Sequence, residues 1–544
     1  MKLIQFLDRE ATESYSQVML IAAISGMANS LLIGIINHAT EAVANQEDLT
    51  QYFLLYMIAF ALFLYGQWYA FERAILIIEN AIFRVRTRLT GKVRQVELAF
   101  MEKMGANTLY GRLTQNDTLI SQSIPMIVGN FQMFSLMVFS LLYLGYISPI
   151  SFVMTLAAMG LGVMYFMTQS RFIKNSLQNV RQKEQIYFKS ISHLVNGFKE
   201  IKVNQQKGRD LLQRIATVST EAQDIKSAVR KRESRLWGFG RLFIYVLLPI
   251  VVFIVPNFSH EHAGNIFKIS ATLLFLIGPT TMLTNMIPLM NRVNMAIEDL
   301  FTLEQEMDET IAHAHQNELV DKARQNFQCI KIDNISFTYP SSKGTAFSAG
   351  PFNEEVHAGE LLFIIGGNGS GKSTFLKLLT GLYYPNQGGL YLDNTLIDDS
   401  NYPYYRNLFS IIFTDFHLFD KFYGVADIDV EKVNYWLEKM RMQHKVKYQD
   451  DGFTSTDLST GQRKRLAFIA AMLEDKPILV IDEFAADQDP QFRQYFYEEL
   501  LGEVRDMGKT IIAVTHDDHY FHVADRVWKM DEGRIELHTA SKET

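Results

Sequence analysis

The feature that most constrains this chain is a set of six apolar stretches, near residues 18–36, 53–69, 126–147, 150–168, 242–255 and 266–290. Each suits a helix crossing about 30 Å of hydrocarbon. Inside lipid no water satisfies an exposed backbone group, so such segments are held to helices. The fifth stretch is short, although Phe239 and Gly240 extend it past Arg241. The first is too long for a cleavable signal and follows an acidic and polar opening. Beyond about residue 320 the pattern changes to the strand and helix lengths of a soluble α/β domain. The mean hydropathy of +0.01 therefore averages a membrane part and a soluble part, and 544 residues are too many for a single core.

Lysine and arginine are unevenly shared among the connections. Residues 71–102 carry Arg73, Arg84, Arg86, Arg88, Lys92 and Arg94, and 170–236 carry Arg171, Lys174, Arg181, Lys183 and many more. The connections 38–51 and 256–265 contain neither residue type. The positive-inside bias places the two long connections and both termini in the cytoplasm. Solvated basic faces alone would not explain that alternation. Both long connections keep a helical period with few breakers, so they read as helices that run on from the bilayer into the cytoplasm. The net charge of −7 argues against a nucleic-acid partner, which would need a clustered basic surface.

Polar residues within the spans are candidates for lining a substrate cavity, chiefly Asn29, Gln67, Asn130, Arg241 and Asn285. Arg241 is the sharpest, since a charge at membrane depth is costly unless paired or solvated. The alternative is that it snorkels to the cytoplasmic edge. Pro249, Pro279 and Pro288 are expected to kink the last two spans. The single cysteine, Cys329, excludes an intrachain disulfide and, by the same count, cysteine-based metal sites. It reads as a small buried residue near the start of the soluble part.

In the second half, residues 361–374 read LLFIIGGNGSGKST, an apolar strand running into a complete phosphate-loop pattern. Its glycines let backbone N–H groups point at phosphate oxygens, aided by the helix that follows. Gly366, Asn368, Gly369, Gly371, Lys372, Ser373 and Thr374 are the expected ATP contacts, with the Ser373 hydroxyl placed for Mg²⁺. ILVIDE, 478–483, is a second apolar strand ending in two carboxylates. Asp482 would reach Mg²⁺, and Glu483 would face the attacking water. IIAVTHDD, 511–518, ends a third strand at His516, which would hold the γ-phosphate, the water and Glu483 in line. Tyr339 offers an aromatic face for adenine, the alternative being a core or surface tyrosine.

The order of phosphate loop, LSTGQ (458–462), ILVIDE and histidine resembles the nucleotide-binding domain of ATP-binding cassette (ABC) proteins. The resemblance implies that Ser459, Gly461 and Gln462 bind ATP held by a second cassette, so that the working unit is a homodimer with two composite sites. Six spans and one cassette, with long cytoplasmic helices, look like an ABC exporter half-transporter. The implied fold class is an α-helical six-span transmembrane domain followed by an α/β P-loop nucleotide-binding domain: 1–310 membrane, 311–328 linker, 329–544 cassette. Residues 99–117 and 196–212 resemble the two intracellular loops whose short helices dock on cassettes. Three positions depart from the family pattern. Thr460 stands for the usual second glycine of the signature. Thr414 stands where a Mg²⁺-sensing glutamine is usual, leaving that role to Asp415 or water. FAADQDP follows Glu483 in place of a SALD-type turn.

GFKEIKVN, LSTGQRKRLA, DEFAADQDPQFR and THDDHYF together resemble the bacterial cyclic-peptide transporter branch. That resemblance implies an ATPase-coupled exporter of a cyclic or non-ribosomal peptide, including siderophore precursors, in the inner membrane of a Gram-negative bacterium. A periplasmic adaptor or outer-membrane channel is a further partner such a system could recruit. Two rivals stand beside this reading. One is a flippase of lipids or lipid-linked sugars. The other is a nucleotide-gated channel, which has less need of Glu483 and His516.

Overall fold

The computed structural model describes residues 2–254, 265–311, 327–339, 347–425, 428–449 and 451–538. Some side chains within its helices, Arg241 and Asn285 among them, lie outside the described residues, so those two cavity expectations do too. The chain forms two compact units, Met1–Val93 with Ala106–Glu306, and Arg94–Gly105 with Met307–Thr544.

The helices of the first part, in chain order, are α1 (Lys2–Glu10), α2 (Tyr15–Ala44), α3 (Thr50–Val93), α4 (Leu98–Met104), α5 (Ala106–Ile147), α6 (Pro149–Asn196), α7 (Phe198–Val203), α8 (Gln205–Pro249) and α9 (Ile266–Ile311). Helix α4 belongs to the second unit. Helices α3, α5, α6, α8 and α9 are 42 to 48 residues long. At about 1.5 Å per residue each exceeds roughly 60 Å, about twice the hydrocarbon thickness, as expected for spans that continue into water. Helices α2, α3, α5 and α9 carry windows long and apolar enough to cross a membrane. In α6 and α8 the described apolar stretches are shorter, Pro149–Tyr165 and Tyr245–Ile254. Residue 255, at the end of the fifth span as read from the sequence, lies outside the described residues.

Small residues let α2 approach its neighbours. A Cβ on Gly26 would lie 2.3 Å from the Gln132 carbonyl oxygen, and one on Gly66 would lie 3.0 Å from Ser25 Cβ. Polar groups join the helices there, as is common where apolar side chains gain little from leaving lipid. Gln132 Nε2 donates to Ser25 Oγ at 2.8 Å, and Ser25 Oγ donates to the Phe63 carbonyl at 2.9 Å. Gln132 is therefore packing glue in this unit. Asn130 is also buried, its amide nitrogen donating to the Met126 carbonyl at 2.6 Å, while its Oδ1 has no partner among the described residues. Asn29 and Gln67 are half-buried.

Helix ends follow local chemistry. Ser148 caps α6 ahead of Pro149, and Asn204 Oδ1 accepts from Lys207 N–H at 3.0 Å to cap α8. After Pro249 the chain shifts into a π turn, Ile250–Ile254, an irregularity of the kind expected at that proline. The first unit also holds an ion cluster. Arg88 Nη1 and Nη2 donate to Glu10 at 2.9 and 2.7 Å, and Arg88 Nε donates to Glu304 at 2.7 Å. Glu10 and Glu304 are buried, and Lys92 and Arg9 supply further positive charge to Glu304 at 2.9 Å each. Buried carboxylates persist only when paired in this way. The cluster ties the amphipathic α1 to α3 and α9.

The second unit is α/β. Its strands are β1 (Cys329–Thr338), β2 (Ser348–His357), β3 (Leu361–Gly366), β4 (Gln387–Leu392), β5 (Thr395–Leu396), β6 (Phe409–Ile412), β7 (Tyr448–Gln449), β8 (Gly452–Phe453), β9 (Ile478–Asp482), β10 (Thr510–Val514), β11 (Arg526–Asp531) and β12 (Arg534–His538). Its first helices are α10 (Lys372–Leu379), α11 (Tyr402–Arg406), α12 (Val430–Lys439) and α13 (Thr460–Leu473). The main sheet runs β12-β11-β3-β10-β9-β6, parallel except for its β11–β12 edge pair. Strands β3, β9 and β10 are almost wholly buried, which is why they read as unbroken apolar runs. A second, antiparallel sheet runs β2-β1-β4-β5.

Candidate nucleotide-binding site

The site forms where the parallel strands end. Open α/β sheets bind ligands beyond the carboxyl ends of their strands, and β3, β9 and β10 end together at Gly366, Asp482 and Val514. Beyond β3 the backbone must turn sharply under a neighbouring strand. A Cβ on Gly366 would lie 2.3 Å from the Met530 carbonyl oxygen, and Gly369 and Gly371 take φ of +81° and +100°, so only glycine suits this path. Helix α10 starts at Lys372, whose Nζ donates to the Gly366 and Gly367 carbonyls at 2.8 and 3.0 Å. The lysine thereby ties the loop into a ring. Its ammonium is pushed below the usual lysine range by burial, against the pull of Glu483 and Asp482.

A cavity of about 420 Å³ opens over this loop, lined by Phe347, residues 368–374 and Glu483. Tyr339 is half-buried beside it. Its hydroxyl lies 3.1 Å from Thr374 Oγ1, and its ring meets Phe337, Tyr383 and Phe347 at centroid distances of 5.1, 5.9 and 6.4 Å. The sequence reading named Tyr339 and overlooked Phe347, an exposed aromatic on the cavity itself.

Asp482, the last residue of β9, is buried, and burial raises its pKa above the usual carboxylate range. Thr414, beside the carboxylate, and the Lys372 ammonium both draw it down. Parallel pairing of β6 with β9, ending at Ile412 opposite Ile481, delivers Thr414 to this place. Thr414 therefore lies beside the carboxylate expected to bind metal. The buried Asp482 carboxylate and the Ser373 hydroxyl on the cavity are both hard oxygen donors, the kind of ligand that Mg²⁺ takes.

Glu483 takes φ of +50°, uncommon for a residue with a Cβ. Three contacts hold the peptide and side chain there. Glu483 N–H donates to the Val514 carbonyl at 3.1 Å, Lys464 Nζ donates to the Glu483 carbonyl at 2.6 Å, and His516 Nε2 lies 3.1 Å from Glu483 Oε1. Lys464 is almost fully buried and also pairs with Asp487 at 2.7 Å. The sequence reading passed over Lys464, because one lysine in RKR looks like a solvated helix face. His516 is partly exposed, but its neighbours are pinned: Thr515 Oγ1 lies 2.6 Å from the Tyr497 hydroxyl, and Asp517 pairs with Arg493 at 3.2 Å.

Ser459, Gly461 and Gln462 are not on the cavity's described lining. Ser459 is exposed and caps α13, accepting from Gln462 N–H at 3.5 Å while Gln462 Oε1 accepts from Ser459 N–H at 3.4 Å. Gly461 lies under the Asp487 turn, where a Cβ would be 2.4 Å from the Asp487 carbonyl oxygen, and Gln488 Nε2 donates to its carbonyl at 3.0 Å. The structure thus gathers the phosphate loop, Asp482, Glu483 and His516 in one place and leaves the signature turn facing outward.

The family model described as ABC transporter matches residues 349–486. The ATP-binding protein SyrD of Pseudomonas syringae pv. syringae is 31% identical over 95% of this chain and 93% of its own length. The ATP-dependent lipid A-core flippase of Wigglesworthia glossinidia brevipalpis is 23% identical over 84% of this chain and 80% of its own length. Among solved structures, a bacterial Atm1-family ABC exporter with ATP bound superposes with a TM-score of 0.76 at 17% identity, covering 96% of this chain and 93% of that one. With apolar helices preceding an ATP-binding α/β unit, the chain is a multi-pass membrane protein and belongs to the ABC transporter family, as an exporter whose ATPase is coupled to transport.

Proposed function

We propose that this chain exports a cyclic or non-ribosomal peptide-like metabolite, siderophore precursors included, from the cytoplasm across a bacterial inner membrane as a homodimer. The observation that carries the cargo class is the set of strings GFKEIKVN, LSTGQRKRLA, DEFAADQDPQFR and THDDHYF, which extends from the membrane part to the end of the cassette. In the assigned roles, Lys372 and the loop N–H groups hold the phosphates, with Gly366, Asn368, Gly369, Gly371 and Thr374 shaping the cradle. Tyr339 packs on the adenine. Ser373 and Asp482 would hold Mg²⁺, which neutralises phosphate charge as it develops. Glu483 orients and deprotonates the attacking water, and His516 keeps Glu483 aimed. The strained backbone at Glu483, fixed by Lys464, supports this reading by fixing the carboxylate's direction. The outward signature turn supports a composite site completed by Ser459, Gly461 and Gln462 of a second copy. Membrane, linker and cassette are assigned to 1–310, 311–328 and 329–544, and the lysine and arginine asymmetry supports a cytoplasmic cassette and termini.

Likeness to lipid A-core flippases over most of the chain favours a second reading, transport of lipids or lipid-linked sugars. Inverted membrane vesicles loaded by ATP from a host metabolite extract separate the two, with Glu483→Gln as the inactive control. Peptide-like masses accumulating only with active protein are the expected result. An absence of enriched soluble species, with ATPase activity rising on addition of particular lipids, would replace the peptide reading with the flippase.

A further inference from the structure

We propose that Cys329, Glu355 and His357 form a three-ligand site for a borderline divalent cation of the Zn²⁺ class, on the outer face of the antiparallel sheet. Cys329 and His357 are direct cross-strand partners at the ends of β1 and β2, and Glu355 lies two residues back on the same face as His357. Ile330 and Val356 between them point into the core, so the three side chains share the solvent side. One ligand atom from each lies within 4.8 Å of the others. Bonds of about 2.0–2.3 Å would set ligand atoms roughly 3.3–3.7 Å apart, a gap that rotations of the exposed Glu355 and His357 close. Sulfur, nitrogen and oxygen together suit Zn²⁺ better than Mg²⁺, which takes oxygen. Water completes the fourth position.

The surroundings favour a cation. Glu360 keeps only 10% of its side chain exposed, and its Oε1 is buried with no hydrogen-bond partner among the described residues. The carboxylates of Glu355, Asp393 and Glu360 act on the Cys329 sulfur, with Arg526 opposed to them. Two cations oppose the site. Arg526 lies 3.6 Å from Glu360 Oε2, and Lys331 is opposite Glu355 in register, without an ion pair to it among the described residues. On binding, the Sγ–H proton passes to solvent as the sulfur–metal bond forms. The residue count excludes sites built on several cysteines. It does not exclude a mixed set, so the expectation that cysteine-based metal sites are absent is too broad. Cys329 is also half-buried, not buried as expected.

The single cysteine makes the test unambiguous, because a sulfur-to-cobalt charge-transfer band can come only from Cys329. The untagged full chain in detergent, free of nucleotide, is titrated with Co²⁺ alone and read in the near ultraviolet. The expected result is a band saturating at one equivalent, displaced by Zn²⁺, lost in Cys329→Ser and at least tenfold weaker in affinity in both His357→Ala and Glu355→Gln. ATP binding in each variant verifies the fold. No band in the parent protein, or a band unchanged by His357→Ala or Glu355→Gln, overturns the site.

Discussion

At the scale of single residues, the site separates chemistry from support. Glu483→Gln should retain ATP binding and slow turnover at least about a hundredfold, as expected when the group that activates water is lost. Single-turnover hydrolysis at the parent rate would remove Glu483 from its assigned role. Thr414 plays a different part, lying beside Asp482 and favouring its ionised form. Thr414→Ala removes the hydroxyl beside Asp482, so we expect a roughly tenfold loss, with a higher Mg²⁺ concentration needed for half-maximal rate. A loss equal to that of Glu483→Gln would give Thr414 the full role of the missing glutamine. Lys464→Met removes the cation that holds the Glu483 carbonyl and Asp487. Slower hydrolysis with unchanged ATP affinity is the expected outcome, measured by nucleotide binding and single-turnover assays. A parallel fall in affinity would mean that Lys464 supports the whole cassette core.

At the scale of elements, the short helix α4 matters most. Leu98 packs against the cassette's aromatic core, and Glu102 accepts from Lys377 at 2.7 Å and from the Tyr383 hydroxyl. The Tyr383 ring lies edge-on to Tyr339 at 5.9 Å, and the Tyr339 hydroxyl reaches Thr374 on the phosphate-loop helix. One contact chain therefore runs from the proposed adenine platform to the segment that joins α3 and α5. The exposed Glu102 touches neither the phosphate loop nor the acidic pair, so Glu102→Ala should leave ATP binding and basal hydrolysis within about twofold while reducing vesicle transport severalfold. Equal loss of hydrolysis and transport would show that α4 supports the cassette itself. Sequence resemblance pointed to a docking loop at 99–117. Its anchor on Tyr383 was not legible, because Glu102 and Tyr383 are 281 residues apart in the chain.

At the scale of the whole molecule, the outward signature turn predicts dependence between copies. In the proposed homodimer, Lys372→Ala and Ser459→Arg should each disable both sites. Mixed dimers of the two variants place both defects in one site and leave the other intact. Coexpression should therefore restore hydrolysis, to at most about a quarter of the parent rate under random pairing. Two inactive variants that stay inactive when mixed would mean that each signature turn serves its own chain.

The sequence alone determined whatever depends on neighbours along the chain. Length and hydropathy specify membrane helices because the bilayer accepts little else, and the phosphate loop is readable because turn, helix start and lysine are contiguous. Only the tertiary structure decided which distant groups meet. Parallel register brings Thr414 to Asp482, burial turns Lys464 from a solvated-looking charge into the anchor of Glu483, and strand pairing sets His357 against Cys329. Asn130 and Gln132 look alike in sequence as polar residues in a span, yet Gln132 bonds to Ser25, and Asn130 Oδ1 has no partner among the described residues. Such contacts are fixed by packing between elements, and a linear pattern carries no record of which faces will touch.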